Sequence, residues 1–183
     1  MNEVKALKDL HDVENVRREF LGLYGEKVES VWVLGLQLAL RISDLLDLKY
    51  TDIKDGRIYV KESKTKKPAE IKLNQKALEV VAKLRNANPS DEYLFQATGN
   101  RVKGVKPFSR QYITKCFKTV SDSLGLEIGT HSMRKTRGYM LYTQTNNLSK
   151  VMKMLRHSSQ EVTLRYIGIE QEDIDNDFDN LVI

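Results

Sequence analysis

Cysteine is nearly absent: Cys116 stands alone among 183 residues, so no internal disulfide can form and no cysteine-rich zinc site can be built. Histidine is also scarce, with three copies and no His-Glu-x-x-His pattern, which gives a zinc hydrolase little support. Long apolar runs are missing. The longest, from Val31 to Leu40, is broken by Gln37 and is too short to cross a bilayer. The N-terminus mixes acids in from Glu3 onward and has no small-residue cleavage site after an apolar block, so it does not read as a secretory signal. These absences predict a protein that stays in a reducing compartment, the cytoplasm. Missing too are the Gly-rich phosphate loop with its Lys-Ser/Thr, the Gly-x-Gly-x-x-Gly turn and the Gly-x-Ser-x-Gly elbow, so nucleotide-driven, dinucleotide and simple esterase readings lack their usual marks.

What is present fits one globular domain, at 40% hydrophobic and 30% charged residues. The net charge is +5, but it is unevenly spread. Residues 170–183 hold six acids and no base, and without those six charges the chain stands at +11. A body this basic is an electrostatic match for nucleic acid, because neutralising phosphates releases counterions. A soluble protein with a basic surface is the plainer alternative.

Apolar spacing predicts a mainly α-helical chain with one small antiparallel β-hairpin, an α+β class. Helices are expected over about 5–23 and 26–40, the second containing Trp32, and over a short stretch opened by Arg41 with Leu45, Leu46 and Leu48 inward. Ile58 and Val60, then Ile71 and Leu73, alternate with polar residues across a basic turn, Ser63 to Pro68. Asn74 caps a helix carrying Ala77, Val80, Val81 and Leu84, and residues 98–108 read as a loop. Ser109 caps a helix with Ile113, Cys116, Phe117, Val120 and Leu124 on one face and Arg110, Lys115 and Lys118 on the other. Three more helices are expected over about 131–144, 147–156 and 159–168, the last with Ser158 and Glu161 as a capping box.

The stretch Thr130 to Thr136 carries the most chemistry. On a helix His131 and Arg134 share a face and together suit two oxygens of one phosphate. Further on stand His157, in Leu155-Arg156-His157-Ser158, and Tyr166, in a later helix. Upstream are Arg41, in Arg41-Ile42-Ser43-Asp44, and Lys64, at the hairpin tip. Read singly, each has a plain structural account. Arg41 starts a helix beside Asp44, Lys64 belongs to a solvated run with Lys61, Lys66 and Lys67, and Tyr166 is a half-buried aromatic, as are Tyr112, Tyr139 and Tyr142.

Taken together, the six positions resemble the catalytic domain of the tyrosine recombinases, the phage integrase family, over roughly residues 26–168. The first box matches Arg41 to Asp44, the second His131, Arg134, Lys135 and Thr136, and the third Leu155, His157 and Ser158 before Tyr166. Ala39 and Arg156 stand where the family often has glycine. The resemblance implies a site-specific recombinase that cleaves and rejoins DNA through a 3′-phosphotyrosyl link, with no cofactor, ATP or metal. Tyr166 would be the nucleophile, Arg41 and Arg134 the clamp on the phosphoryl oxygens, His131 the proton acceptor, His157 a hydrogen-bond donor and Lys64 the general acid. Lys64 is preferred to Lys66 only because the family's lysine opens its turn.

By the same resemblance, Arg101, Lys103, Lys106, Arg110, Lys115 and Lys118 form a DNA-facing surface. The division expected is a catalytic domain over 1–169 and an acidic amphipathic tail over 170–183, with Ile174, Phe178, Leu181 and Val182 set to dock on a neighbouring protomer of a DNA-bound homo-tetramer; docking on its own protomer and a disordered tail are the alternatives. Only 40 residues precede Arg41, so the N-terminal clamp domain usual in the family is not expected within this chain. A non-catalytic DNA-binding regulator of the same fold and a type IB topoisomerase are the rival readings. The complete set of six argues against the first, and the small size with the Leu-Arg-His-Ser-Ser box against the second.

Overall fold

A computed structural model describes residues 4–61, 63, 66, 68–99 and 102–169. Lys64, Arg101 and the tail 170–183 therefore lie outside the described residues. The elements are α1 (Leu10–Tyr24), α2 (Glu26–Leu38), α3 (Ile42–Leu46), β1 (Ile53–Lys54), β2 (Arg57–Lys61), β3 (Pro68–Lys72), α4 (Gln75–Ala87), α5 (Arg110–Leu124), α6 (Ser132–Thr145), α7 (Leu148–Leu155) and α8 (Gln160–Ile167). The expected α+β class stands. No helix among the described residues is long and apolar enough to cross a membrane.

The core forms around α2, whose Val28, Val31, Trp32, Val33, Leu34 and Leu38 are all buried. Phe20 of α1 and Phe117 of α5 close on Trp32, with ring centroids 6.0 Å from it and 4.8 Å from each other. Trp32 keeps its polar edge satisfied by donating from Nε1 to the Val13 carbonyl at 3.2 Å. Burying three such rings in mutual contact fixes the relative positions of α1, α2 and α5.

Several expectations need correction. The first helix starts at Leu10, not near Lys5: Asp9 caps it by accepting from His11 N at 2.7 Å. Residues 4–9 form no helix: Lys5 N–H donates to the Glu127 carbonyl and Leu7 N–H to Thr136 Oγ1 at 2.8 Å, partners far along the chain in place of the next turn. The hairpin is a three-stranded antiparallel sheet in the order β1-β2-β3, with Ile53 opposite Ile58 and Tyr59 opposite Glu70. The added strand follows from Asp55-Gly56, whose φ values of 49° and 69° suit a two-residue hairpin turn. The cap of α8 is Ser159, which accepts from Val162 N at 3.3 Å, and not Ser158. The left-handed residue Arg156 ends α7, and His157 N–H returns to the Met152 carbonyl at 2.9 Å, which delays the next helix by one residue.

Helix α6 lies between α2 on one side and α7 and α8 on the other. Gly138 permits the second contact: a Cβ there would stand 2.7 Å from Ile167 Cγ2 and 3.2 Å from Leu155 Cδ1. Gly138→Ala should therefore lower stability by about 1–3 kcal/mol through overpacking. Chemical denaturation measures this, and an unchanged midpoint would show that α8 is held some other way.

Candidate active site

Five of the six sequence-predicted site residues come together: His131 and His157 both stand against Tyr166, and Arg41 and Arg134 are close enough for their charges to act on all three. Arg41 is the N-cap of α3, and Asp44 in that helix accepts from Ser63 N at 2.9 Å. Ser43 Oγ lies 3.3 Å from Ser63 Oγ. Ser63, next to Lys64 in sequence, is thus tied to the helix that Arg41 opens. Lys64 itself is outside the described residues.

Arg134 is 2% exposed and enters the site from α6. Its Nη1 donates to the Ala39 carbonyl and its Nη2 to the Leu155 carbonyl. Both carbonyls are aimed by left-handed backbone, with φ of 50° at Ala39 and 54° at Arg156. These are the two positions that stand where the family often has glycine, and their positive φ is the conformation that favours glycine. The guanidinium is planar and multiply hydrogen-bonded, so its direction is fixed before any ligand arrives.

His131 caps α6 at the rim of the site, and its Nδ1 lies 3.2 Å from the Tyr166 hydroxyl. The His157 ring stands edge-on to Tyr166, with centroids 4.9 Å apart at 89°. Thr163 Oγ1, 3.3 Å from His157 Nδ1, steadies that ring. Burial holds both imidazoles below their ordinary value, and the charges of Arg134 and Arg41 push the same way; Lys135 and Arg110 add to this at His131. Both rings are thus biased toward the neutral form. Burial pushes the Tyr166 phenol up, opposed by the charge and hydrogen bond of Arg134 and by the charge of Arg41. The phenol therefore keeps its proton at neutral pH and faces an imidazole able to accept it.

The depressed histidines carry a pH dependence. An unfolded chain binds these protons near pH 6.5, the folded one only lower, so the unfolded state holds more protons in that window. Stability should fall as pH drops below about 6.5 and level off once the folded histidines are also protonated. Denaturation midpoints between neutral and acid pH should fall less steeply for His131→Gln/His157→Gln than for the natural chain. Parallel slopes would contradict the assignment.

Of the expected DNA-facing residues, Lys103, Lys106, Arg110, Lys115 and Lys118 are all exposed. Arg110, at the first turn of α5, is close enough for its charge to act on His131, whereas Lys118 is held by Asp122 at 2.9 Å. Arg101 is outside the described residues. Cys116 is buried in the core, as its place on the apolar face indicated. Among the described residues, no group of three or more His, Cys, Asp or Glu side chains is placed to hold a metal ion. Sequence reasoning missed the two carbonyls that hold Arg134. The glycine-preferring positions were their only signal.

The fold is that of tyrosine recombinase catalytic domains. It superposes on the XerA recombinase with a TM-score of 0.74 at 13% identity, covering 98% of this chain and 65% of that one. On a lambda integrase (75-356) dimer bound to a COC' core site the TM-score is 0.71 at 20% identity, covering 93% and 63%. In sequence, residues 27–172 match the Phage integrase family, and the probable integrase/recombinase YoeC of Bacillus subtilis is 32% identical over 174 residues, 94% of this chain and 93% of its own length. The chain belongs to the phage integrase family. It spans nearly all of the Bacillus relative and a little under two thirds of the two solved chains.

Proposed function

We propose that this protein is a site-specific DNA recombinase in which Tyr166 cuts one DNA strand by becoming bonded to its 3′ phosphate. The observation that carries the reading is the placement of the Tyr166 hydroxyl 3.2 Å from His131 Nδ1, beside the anchored guanidinium of Arg134.

The scissile phosphate enters with its non-bridging oxygens on Arg41 and Arg134. As Tyr166 Oη attacks phosphorus, its proton passes to His131 and the bond to the 5′ oxygen breaks. Lys64 gives that oxygen a proton, and His157 donates a hydrogen bond to a non-bridging oxygen. The charge that grows on the phosphoryl group falls on donors already in place, so little reorganisation is needed. The phosphodiester energy is kept in the phosphotyrosyl link, and the 5′ hydroxyl of another strand reverses the step without ATP or a metal ion. Exchange between two duplexes breaks four strands and each chain supplies one Tyr166. A homo-tetramer on DNA follows, with the acidic tail 170–183 passing between protomers.

The test is covalent trapping. A labelled, nicked duplex from the DNA flanking the gene is incubated with the protein in EDTA and run on a denaturing gel. A protein-sized shift of the label that survives denaturation supports the reading. Binding without any such shift favours a DNA-binding regulator.

A further inference from the structure

Lys135 belongs to the second sequence box, yet the reaction above gives it no task. It is 6% exposed, an unusual position for a lysine, and its Nζ lies 5.3 Å from the centroid of the Tyr166 ring. Its burial is built in. Residues 4–9 pass over this end of α6, with Leu7 buried and its N–H on Thr136 Oγ1, the hydroxyl of the residue next to Lys135. The close approach of α8 to α6 at Gly138 sets the distance from the other side. A groove of about 600 Å³ runs along this seam, lined by Lys135 and Tyr166 together with Arg165, Lys8, Asp9 and Asp12.

A cation this close to an aromatic ring attracts it, and the attraction grows when the ring oxygen gains negative charge and water is kept away. We propose that Lys135 is a positioning residue for Tyr166: its buried ammonium holds the ring in place and stabilises the negative charge that the phenol acquires as its proton leaves. This rests on Tyr166 being the nucleophile. The other charged or titratable groups facing the phenol are Arg41, His131, Arg134 and His157, and those that line the groove with Lys135 are Lys5, Lys8, Asp9, Asp12, Glu127 and Arg165, of which Lys5 and Glu127 pair with each other. Lys135 differs from all of them in being both a buried cation and set against the ring itself.

The experiment compares single-turnover covalent attachment, across a range of pH, for the natural chain and for Lys135→Met, Lys135→Gln, Lys135→Arg and Tyr166→Phe, on a nicked duplex that the natural chain cleaves. Methionine keeps the length and apolar stem of the lysine, so packing survives while the charge is lost. Lys135→Met and Lys135→Gln are expected to react about 3- to 30-fold more slowly. Their pH profiles should move to higher pH, because a phenol without the cation holds its proton more tightly, and DNA affinity should be unchanged. Lys135→Arg should restore most of the rate. A natural rate and pH profile in both neutral variants, with Tyr166→Phe inert, would overturn the role of Lys135 alone. Attachment by Tyr166→Phe would overturn the nucleophile assignment on which it rests.

Discussion

Tyr166→Phe should abolish covalent attachment to DNA while leaving DNA binding intact. The substitution removes one oxygen and keeps the ring, so the edge-on contact with His157 and the Lys135 contact both survive. Only the atom facing His131 Nδ1 is lost. Among the described residues, the hydroxyls of Thr163 and Ser63 are already engaged. Thr163 Oγ1 donates to the Ser159 carbonyl at 2.7 Å, and Ser63 Oγ is paired with Ser43. Because the reaction needs a nucleophile and the phosphate contacts do not, trapping should drop to background and a gel-shift affinity should change by no more than a few-fold. Residual trapping well above background would place the nucleophile elsewhere, and loss of binding would mean that the ring is structural.

Arg134→Lys should be nearly as damaging, although it keeps the charge. The guanidinium serves two carbonyls from two nitrogens and still lies beside the Tyr166 hydroxyl. A lysine ammonium has three donors on a flexible stem and cannot hold that fixed fork. Withdrawing one preorganised donor from a developing phosphoryl charge slows attachment by about 10²–10³-fold. A buried carbonyl of Ala39 or Leu155 left without its donor lowers stability by about 1–3 kcal/mol. Single-turnover attachment and chemical denaturation read the two effects separately. A rate within a few-fold of natural would show that charge alone suffices and that the anchored geometry is unnecessary.

Much of this site was legible in the sequence because its side chains sit in short motifs whose spacing survives folding. Arg41 heads a helix, His131 and Arg134 lie one turn apart, and Tyr166 follows His157 closely enough for a single turn and helix to bring the rings together. Helix α5 was equally plain, since Ile113, Cys116, Phe117 and Val120 repeat at helical spacing and all four are buried. Less legible was anything that depends on backbone groups meeting across the fold. The strap of residues 4–9 has helix-like apolar spacing, but its hydrogen bonds go to Glu127 and Thr136, more than a hundred residues away. Strand β1 has two residues, too few for alternation to register, although Asp55-Gly56 was a usable signal. The setting of Lys135 exists only because α8 folds back over α6, an event no local pattern records.

The proposed reaction stands or falls on a bond between the Tyr166 oxygen and a 3′ phosphate of DNA. Protease digestion of the trapped adduct, nuclease trimming and mass spectrometry test it most directly. One modified peptide is expected, containing Tyr166, with a nucleotide joined through its 3′ phosphate, formed equally well in EDTA. Modification of a different residue, or a nucleotide joined through its 5′ phosphate, would contradict it.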